Sequence, residues 1–436
     1  MIVNGVIAEY NPFHNGHQYH LERSRRETGA DYVIVVMSSN FTQRGEPAII
    51  DKFTRARMAL ECGADLVIEL PSFYSAASAE GFAQGGISIL HQLGVVDHVC
   101  FGSECGDSEV LQKFAKILLE EPASFSENLR SCLSAGHSYP VARNRALMDY
   151  APELAQYKDV LSSPNNILGI EYCKALMKYE SPIQVHTIRR AGSGYHDRSF
   201  GEEYCSALAI REAILTHQNS EGDQSWPDVF TEDGPLLGKE PCAPTQNLAH
   251  QVPKKAGRIL MESLRETPPI VMDDFSQMLL YKLLLEKDRG YERFLDVTPD
   301  LSDRIKNSLV NYEGITSFAN LLKSKNVTYT RISRCLLHVL LDEKKEELLE
   351  LGELQHVPYA RVLGFRKDAA PLLSALQEKS SIPVITKLSE APQILSPMAL
   401  AFLSRETCRG SIYETIAAMK AGRKPRDERQ IPLAII

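Results

Sequence analysis

At 436 residues the chain exceeds what one ordinary hydrophobic core supports, and 44% hydrophobic with 24% charged residues is the composition of a soluble globular protein. No run of 18 apolar residues occurs, which excludes a spanning helix, and a net charge of −8 argues against sequence-blind binding to nucleic acid. Nine cysteines without a CxxC pair, behind a start lacking a basic-then-apolar leader, point to reduced thiols and a cytoplasmic location.

The first half alternates strand-like and helical runs. "IVNGVIA" reads as a strand and is followed by a helix from about residue 15 to 27; "YVIVVM" (32–37) is a second strand. The helix "KFTRARMALECG", the strand "DLVIEL" (65–70), the long helix through "SAEGFAQGGISILHQL" and the strand "HVCF" (98–101) come next. Helices continue to about Glu180, then "IQVHTI" (183–188) forms a fifth strand, followed by a glycine loop and the helix "SALAIREAIL". The strands are continuous Val/Ile-rich runs, as expected where helices cover both faces of a parallel sheet. Alternation of strand and helix predicts an α/β, doubly wound, Rossmann-like domain over residues 1–225.

Residues 226–255 belong to a polar stretch rich in Gly and Pro and read as a linker. Residues 256–436 are expected to be mainly helical, with a small βαβ-like piece in "YARVLGFRKDAAPLLSALQEKSSIPVIT". Charge is uneven: residues 321–436 carry 18 Lys/Arg against 13 Asp/Glu, leaving 30 against 43 elsewhere. That asymmetry fits either a surface that attracts a polyanion or ordinary solvated helix faces.

Chemistry concentrates in "GVIAEYNPFHNGHQYHLERSR" (5–25). In an open parallel sheet, ligands sit beyond the carboxyl ends of the strands, and the first strand delivers "EYNPFHNGH" there. Pro12 fixes a turn and pushes Asn11 out of the helical region. The helix after Gly16 presents free N–H groups carrying roughly half a positive charge, an attractor of phosphate. His14 and His17 add donors at the same place, which suits chemistry at a nucleotide's phosphates. A metal site is the rival for His14, His17 and His20, but i, i+3, i+6 spacing drifts around the helix and no nearby cysteine completes a set. His20 also reads as a packed histidine.

"HNGH" after a strand resembles the HxGH signature of the nucleotidyltransferase superfamily, and "CSALAIREAI" (205–214) resembles that superfamily's later Ser-x-x-x-Ile-Arg motif. Longer strings narrow the likeness. "GVIAEYNPFHNGH", "MSSNFTQRGEPAIIDKFTRARMALECGADLVIELP", "FGSE" (101–104), "SPNNILGIEY" (163–172), "IRRAGSGYHD" (188–197), "YTRISRCLLHVLL" (329–341) and "VPYARVLGF" (357–365) resemble the tRNA(Met) cytidine acetate ligase family.

The resemblance implies a two-step reaction. Acetate and ATP give acetyl-adenylate and pyrophosphate; the acetyl group then passes to N4 of the wobble cytidine of elongator tRNA(Met), forming N4-acetylcytidine. It implies ATP as substrate with Mg2+, acetate and tRNA(Met) as partners, and triphosphate contacts from His14 and His17. The loop Ile7, Ala8, Glu9, Tyr10, Asn11, Pro12, Phe13, His14, Asn15, Gly16, His17 through His20 is expected to touch ATP. Gly102 faces the nucleoside or belongs to an ordinary tight turn, and Asn165 or Asn166 either bonds base or ribose or caps a helix. At least one of Arg189 and Arg190 reaches phosphate or an acyl group, leaving the other at the surface. Ser206 and Arg211 approach phosphate too, or serve as an N-cap and a solvated helix residue. Lys52, taken as catalytic, or Arg44 neutralises the acetate, unless it is spent in a salt bridge. For tRNA, the expected phosphate contacts are Arg331, Arg334, Arg361, Arg366 and Lys367, with Tyr329 or Tyr359 available to stack. The competing functions are adenylylation of a small metabolite without RNA, and tRNA binding without catalysis.

Overall fold

The computed structural model describes residues 1–190, 206–218, 226, 244–324, 327–354 and 356–436. The glycine loop after the fifth predicted strand and most of the predicted linker therefore lie outside the described residues. Among the described residues, no helix is long and apolar enough to cross a membrane.

The strands of the main sheet are β1 (Val3–Ala8), β2 (Tyr32–Ser38), β3 (Leu66–Leu70), β4 (His98–Ser103), β5 (Gln184–Arg189), β6 (Ala360–Phe365), β7 (Val384–Ile385) and β8 (Ala434–Ile435). Their order is β8-β6-β3-β2-β1-β4-β5, with β7 beside β6. All pairings are parallel except β3 with β6. Alternate side chains enter opposite layers: Val3, Ile7, Ile34, Val36, Leu66 and Ile68 pack on one face, and Val6, Val33, Val35, Met37 and Val67 on the other. Burial on both faces explains the unbroken apolar strands.

The chain runs β1, β2, β3 to one side, then returns to place β4 on the other side of β1, so strand order reverses between β1 and β4. These two strands pair only at Asn4 with His98 and Gly5 with Val99, whereas β4 and β5 stay paired through Ser103 and Arg189. The sheet thus splits at the carboxyl ends of β1 and β4, and the split is a crevice where ligands bind in such folds.

The expected division at residues 226–255 does not carry through to the sheet. Part of that stretch is the Pro244–Gln251 helix, and β6, β7 and β8, all from beyond it, complete the same sheet as β1. Gly364 permits the last addition, because a Cβ there would stand 2.6 Å from the Ala434 carbonyl oxygen. The C-terminal helices build a third core around Phe275, Phe318 and Leu336, into which Phe41 and Ala76 of the first half also pack.

The polar tail is docked by charge. Glu428 reaches Lys52 and Arg361, which share Glu69 at 2.6 and 3.0 Å; all four side chains are buried. Arg423 and Arg426 close on Glu414.

Candidate nucleotide site

Helix α1 (Asn15–Thr28) starts with a double cap made by its own histidines. The Gly16 N–H donates to His14 Nδ1 at 3.1 Å, and the His14 N–H donates to His17 Nδ1 at 3.3 Å. Each Nδ1 is therefore an acceptor, which places the ring proton of the neutral imidazole on Nε2, away from the helix. The rings lie 3.7 Å apart, and His17 also packs edge-on against Tyr10 at 4.8 Å. Gly16 is small because a Cβ would come 2.9 Å from His14 Cε1. The spacing of HNGH is thus a capping device with two N–H groups left to aim outward.

Burial keeps these rings neutral. Desolvation, reinforced by Arg190 and Arg211, lowers His14 to about 3. Burial, then Arg190, lowers His20 to about 4, and burial with His14, Arg190 and His20 holds His17 well below its usual value. Neutral in this way, His14 and His17 present Nε2–H groups rather than fixed cations.

The crevice opens into a cavity of about 1500 Å³ counted to its open mouth. Of the predicted residues, Ile7, Ala8, Glu9, Tyr10, Asn11, His14, Gly16, His17, His20, Gly102, Asn165, Arg189, Arg190, Ser206 and Arg211 all line it. Both Arg189, which ends β5, and Arg190, which follows it, are among the lining residues. Arg211 also donates to the Asn11 carbonyl at 2.8 Å, tying the later motif to the turn of the first. Ser206 accepts from the Ala209 N–H at 3.1 Å, so it is an N-cap and a wall residue together.

The floor is built from below. Arg55, wholly buried, donates to the Glu9 carbonyl at 2.7 Å, Ser38 at 3.1 Å, Ile50 at 3.2 Å and the Ser39 carbonyl, binding the ends of β1 and β2. Glu9 accepts from the Gln43 N–H at 2.8 Å; burial pushes its carboxyl up, against the pull of that bond and of Arg211, Arg44 and Arg55.

The chain matches the HIGH Nucleotidyl Transferase family over residues 1–428. It is 39% identical over 432 residues to the tRNA(Met) cytidine acetate ligase of Acetivibrio thermocellus, covering 98% of both chains. It is 37% identical to that of Halothermothrix orenii, covering 99% of both. The chain belongs to the tRNA(Met) cytidine acetate ligase family. Its fold superposes on crystal structures of Thermotoga maritima TmcAL, at 31% identity over the whole of both chains, with TM-scores of 0.87 for the apo form and 0.85 for the form bound to alpha-thio ATP.

Several expectations for this acetate ligase family member need correction. Lys52 does not line the cavity; its ammonium is buried between Glu69 and Glu428, the salt-bridge alternative. Arg361 is spent in the same cluster and is 6% exposed, so it presents nothing to an RNA surface. Pro12 and Phe13 lie beneath the turn, and Asn15 donates to the His250 carbonyl at 2.7 Å. Asn166 is buried, accepting from the Glu104 and Cys105 N–H groups at 3.0 and 3.1 Å. Arg366 and Lys367 follow β6, which runs antiparallel to β3, so they sit at the amino ends of the strands, about 15–20 Å from the cavity. Arg366 is paired there with Asp368 and Asp65.

Arg331 and Arg334 have a better position. They lie on the Tyr329–Leu340 helix, and Ser333 donates to the Gly45 carbonyl at 2.8 Å, directly behind the turn that puts Gln43 and Arg44 into the cavity wall. Gly45 has φ of 74°, and a Cβ there would stand 2.4 Å from the Arg334 nitrogen. Arg334 also bonds Asp296 at 3.2 Å. The reading from residues missed an apolar group of lining residues: Phe82, Phe101, Leu168 and Tyr172. Its signal was present, since Asn165, Leu168 and Tyr172 recur at i, i+3 and i+7 on one helix.

Proposed function

We propose that the chain is an ATP-dependent ligase that makes acetyl-adenylate and transfers the acetyl group to N4 of the wobble cytidine of elongator tRNA(Met). The observation that carries this reading is the pair of Nε2–H donors at a helix N-terminus, facing a crevice ringed by Arg44, Arg189, Arg190 and Arg211, in a chain of this family.

In the first step an acetate oxygen bonds to the α-phosphorus as the bond to the β-phosphate oxygen breaks, releasing pyrophosphate. His14 and His17 donate to phosphate oxygens on which charge builds, and the start of α1 adds its N–H dipoles. With Lys52 withdrawn, Arg44 is the cation we assign to the acetate carboxylate. In the second step N4 attacks the acyl carbon, N4 loses a proton and AMP departs. Cytosine N4 is a weak nucleophile because its lone pair is delocalised into the ring. Holding it against a mixed anhydride supplies the missing rate, as effective molarities of about 10⁵–10⁸ M illustrate.

Among the described residues, no three His, Cys, Asp or Glu side chains gather to hold a metal ion. A Mg2+ arriving with ATP would therefore keep phosphate and water ligands, with Glu9 the lining carboxylate available to it. It would neutralise phosphate charge. tRNA is assigned to the side of the mouth bearing Arg331 and Arg334, and the reaction to the cytoplasm.

The test is incubation of the purified protein with ATP, acetate and transcribed tRNA(Met), followed by nucleoside mass spectrometry. N4-acetylcytidine at the wobble position, with AMP release that requires this tRNA, is the expected outcome. Adenylylation of a small acid with no change in the RNA would favour the metabolite nucleotidyltransferase instead.

A further inference from the structure

We propose that Glu104, which does not line the cavity, selects the nucleotide base by fixing which end of the Asn165 amide faces it. The proposal rests on ATP being the substrate and adds a positioning residue to that site.

Glu104 stands just past the carboxyl end of β4, opposite the first turn of the Pro164–Lys178 helix. Its Oε1 accepts from Asn165 Nδ2 at 2.7 Å and from the Asn165 N–H at 3.3 Å, and its Oε2 accepts from the Asn166 N–H at 2.8 Å. In return, the Glu104 and Cys105 N–H groups donate to Asn166 Oδ1. Five hydrogen bonds thus close a reciprocal clasp between strand end and helix start.

A carboxylate can only accept. Asn165 must therefore turn its NH2 to Glu104, which leaves Oδ1 as the atom offered to the cavity that Asn165 lines. The identity of that atom follows from the chemistry of its partner.

The surroundings fit a purine. Leu168 and Tyr172 continue the Asn165 face of the helix, and Phe82 and Phe101 supply further apolar wall. The helix is pressed so close that a Cβ at Gly169 would stand 2.6 Å from Phe101 Cε2. Gly102 adds no side chain to the wall, and a Cβ there would already press on Arg190 Cγ at 3.3 Å. An apolar slot with one acceptor suits a base with an exocyclic amine, and adenine donates from N6. A purine with a carbonyl at that position would set acceptor against acceptor.

The experiment compares ATP with ITP in acetate-dependent nucleotide–pyrophosphate exchange, using wild type, E104Q and the double variant E104Q/N165D. Wild type should prefer ATP. In E104Q the amide keeps an acceptor for only one of its two partners, Asn165 or the Asn166 N–H, so the Asn165 amide is no longer fixed and offers a donor to the slot in part of the population. KM for ATP should rise roughly tenfold to a hundredfold while kcat changes little, and ITP should gain in relative kcat/KM. In the double variant the amide introduced at position 104 donates to the carboxylate introduced at position 165. An oxygen again faces the slot, and the preference for ATP should return. An unchanged ATP-to-ITP ratio in E104Q overturns the proposal, as does an equal fall in kcat for both nucleotides or a failure of the added N165D change to restore ATP. Calorimetric binding of ATP and ITP to the same three proteins reads the clasp independently of turnover. Absent exchange in wild type with the binding switch intact would sink the ligase reading and leave this one standing.

Discussion

His14 and His17 carry the account at the scale of single residues, because each one's Nδ1 is occupied by a backbone N–H. The pattern HNGH was legible in the sequence as a place for anions, but the reason for its glycine was not. That reason is a ring lying over the backbone, which no spacing rule states. Lys52 shows the converse failure, since its partners Glu69 and Glu428 lie 17 and 376 positions away. The depressed imidazoles have a consequence for pH. With His14 near 3 and His20 near 4 in the folded chain against about 6.5 unfolded, the unfolded state binds more protons between those values. Their contribution to stability is whole above about pH 6.5 and is lost as pH falls through about 4 for His20 and about 3 for His14. Denaturant midpoints should therefore drop between about pH 7 and pH 5, and H14N/H20N should show a smaller drop. A wild-type midpoint that rises on acidification would contradict the buried, neutral rings.

At the scale of elements, the alternation of strand and helix through β5 could be read directly, because doubly covered strands need continuous apolar runs. Register and splay could not: the early parting of β1 and β4 depends on tertiary pairing. The start of α1 gives a prediction of opposed signs. An alanine inside a helix ordinarily improves on glycine by about 1 kcal/mol. At Gly16 the added methyl would displace the His14 ring, so Gly16→Ala should cut pyrophosphate exchange at least tenfold while leaving the thermal midpoint unchanged or higher. Full activity in that variant would show that the cap does not hold the ring in place.

Across the whole molecule, the segment after residue 255 looked separable by composition, yet it completes the central sheet and supplies Glu428 to a buried cluster. The cause is long-range pairing, to which composition is blind. Removing one partner of a buried ion cluster leaves charge uncompensated, so Glu428→Ala should cost about 3 kcal/mol in equilibrium unfolding. A change under about 0.5 kcal/mol would mean the tail is not a structural part of the fold. The same topology bears on the proposed placement of the RNA. Arg331→Ala with Arg334→Ala should raise KM for tRNA(Met) and lower the salt slope by about 1 for each phosphate no longer neutralised, whereas changes at Arg366 and Lys367, at the far end of the sheet, should leave both unaltered. Equal losses from the two pairs would place the RNA elsewhere. In the proposed first step two neutral imidazoles grip a triphosphate for attack by acetate, and acetate-dependent exchange of pyrophosphate into ATP reads that step alone. Wild type should exchange; His14→Ala with His17→Ala should fall by at least about 10²-fold, the loss expected for missing donors at a charged transition state, with folding intact by circular dichroism. Undiminished exchange in that folded double variant would contradict it.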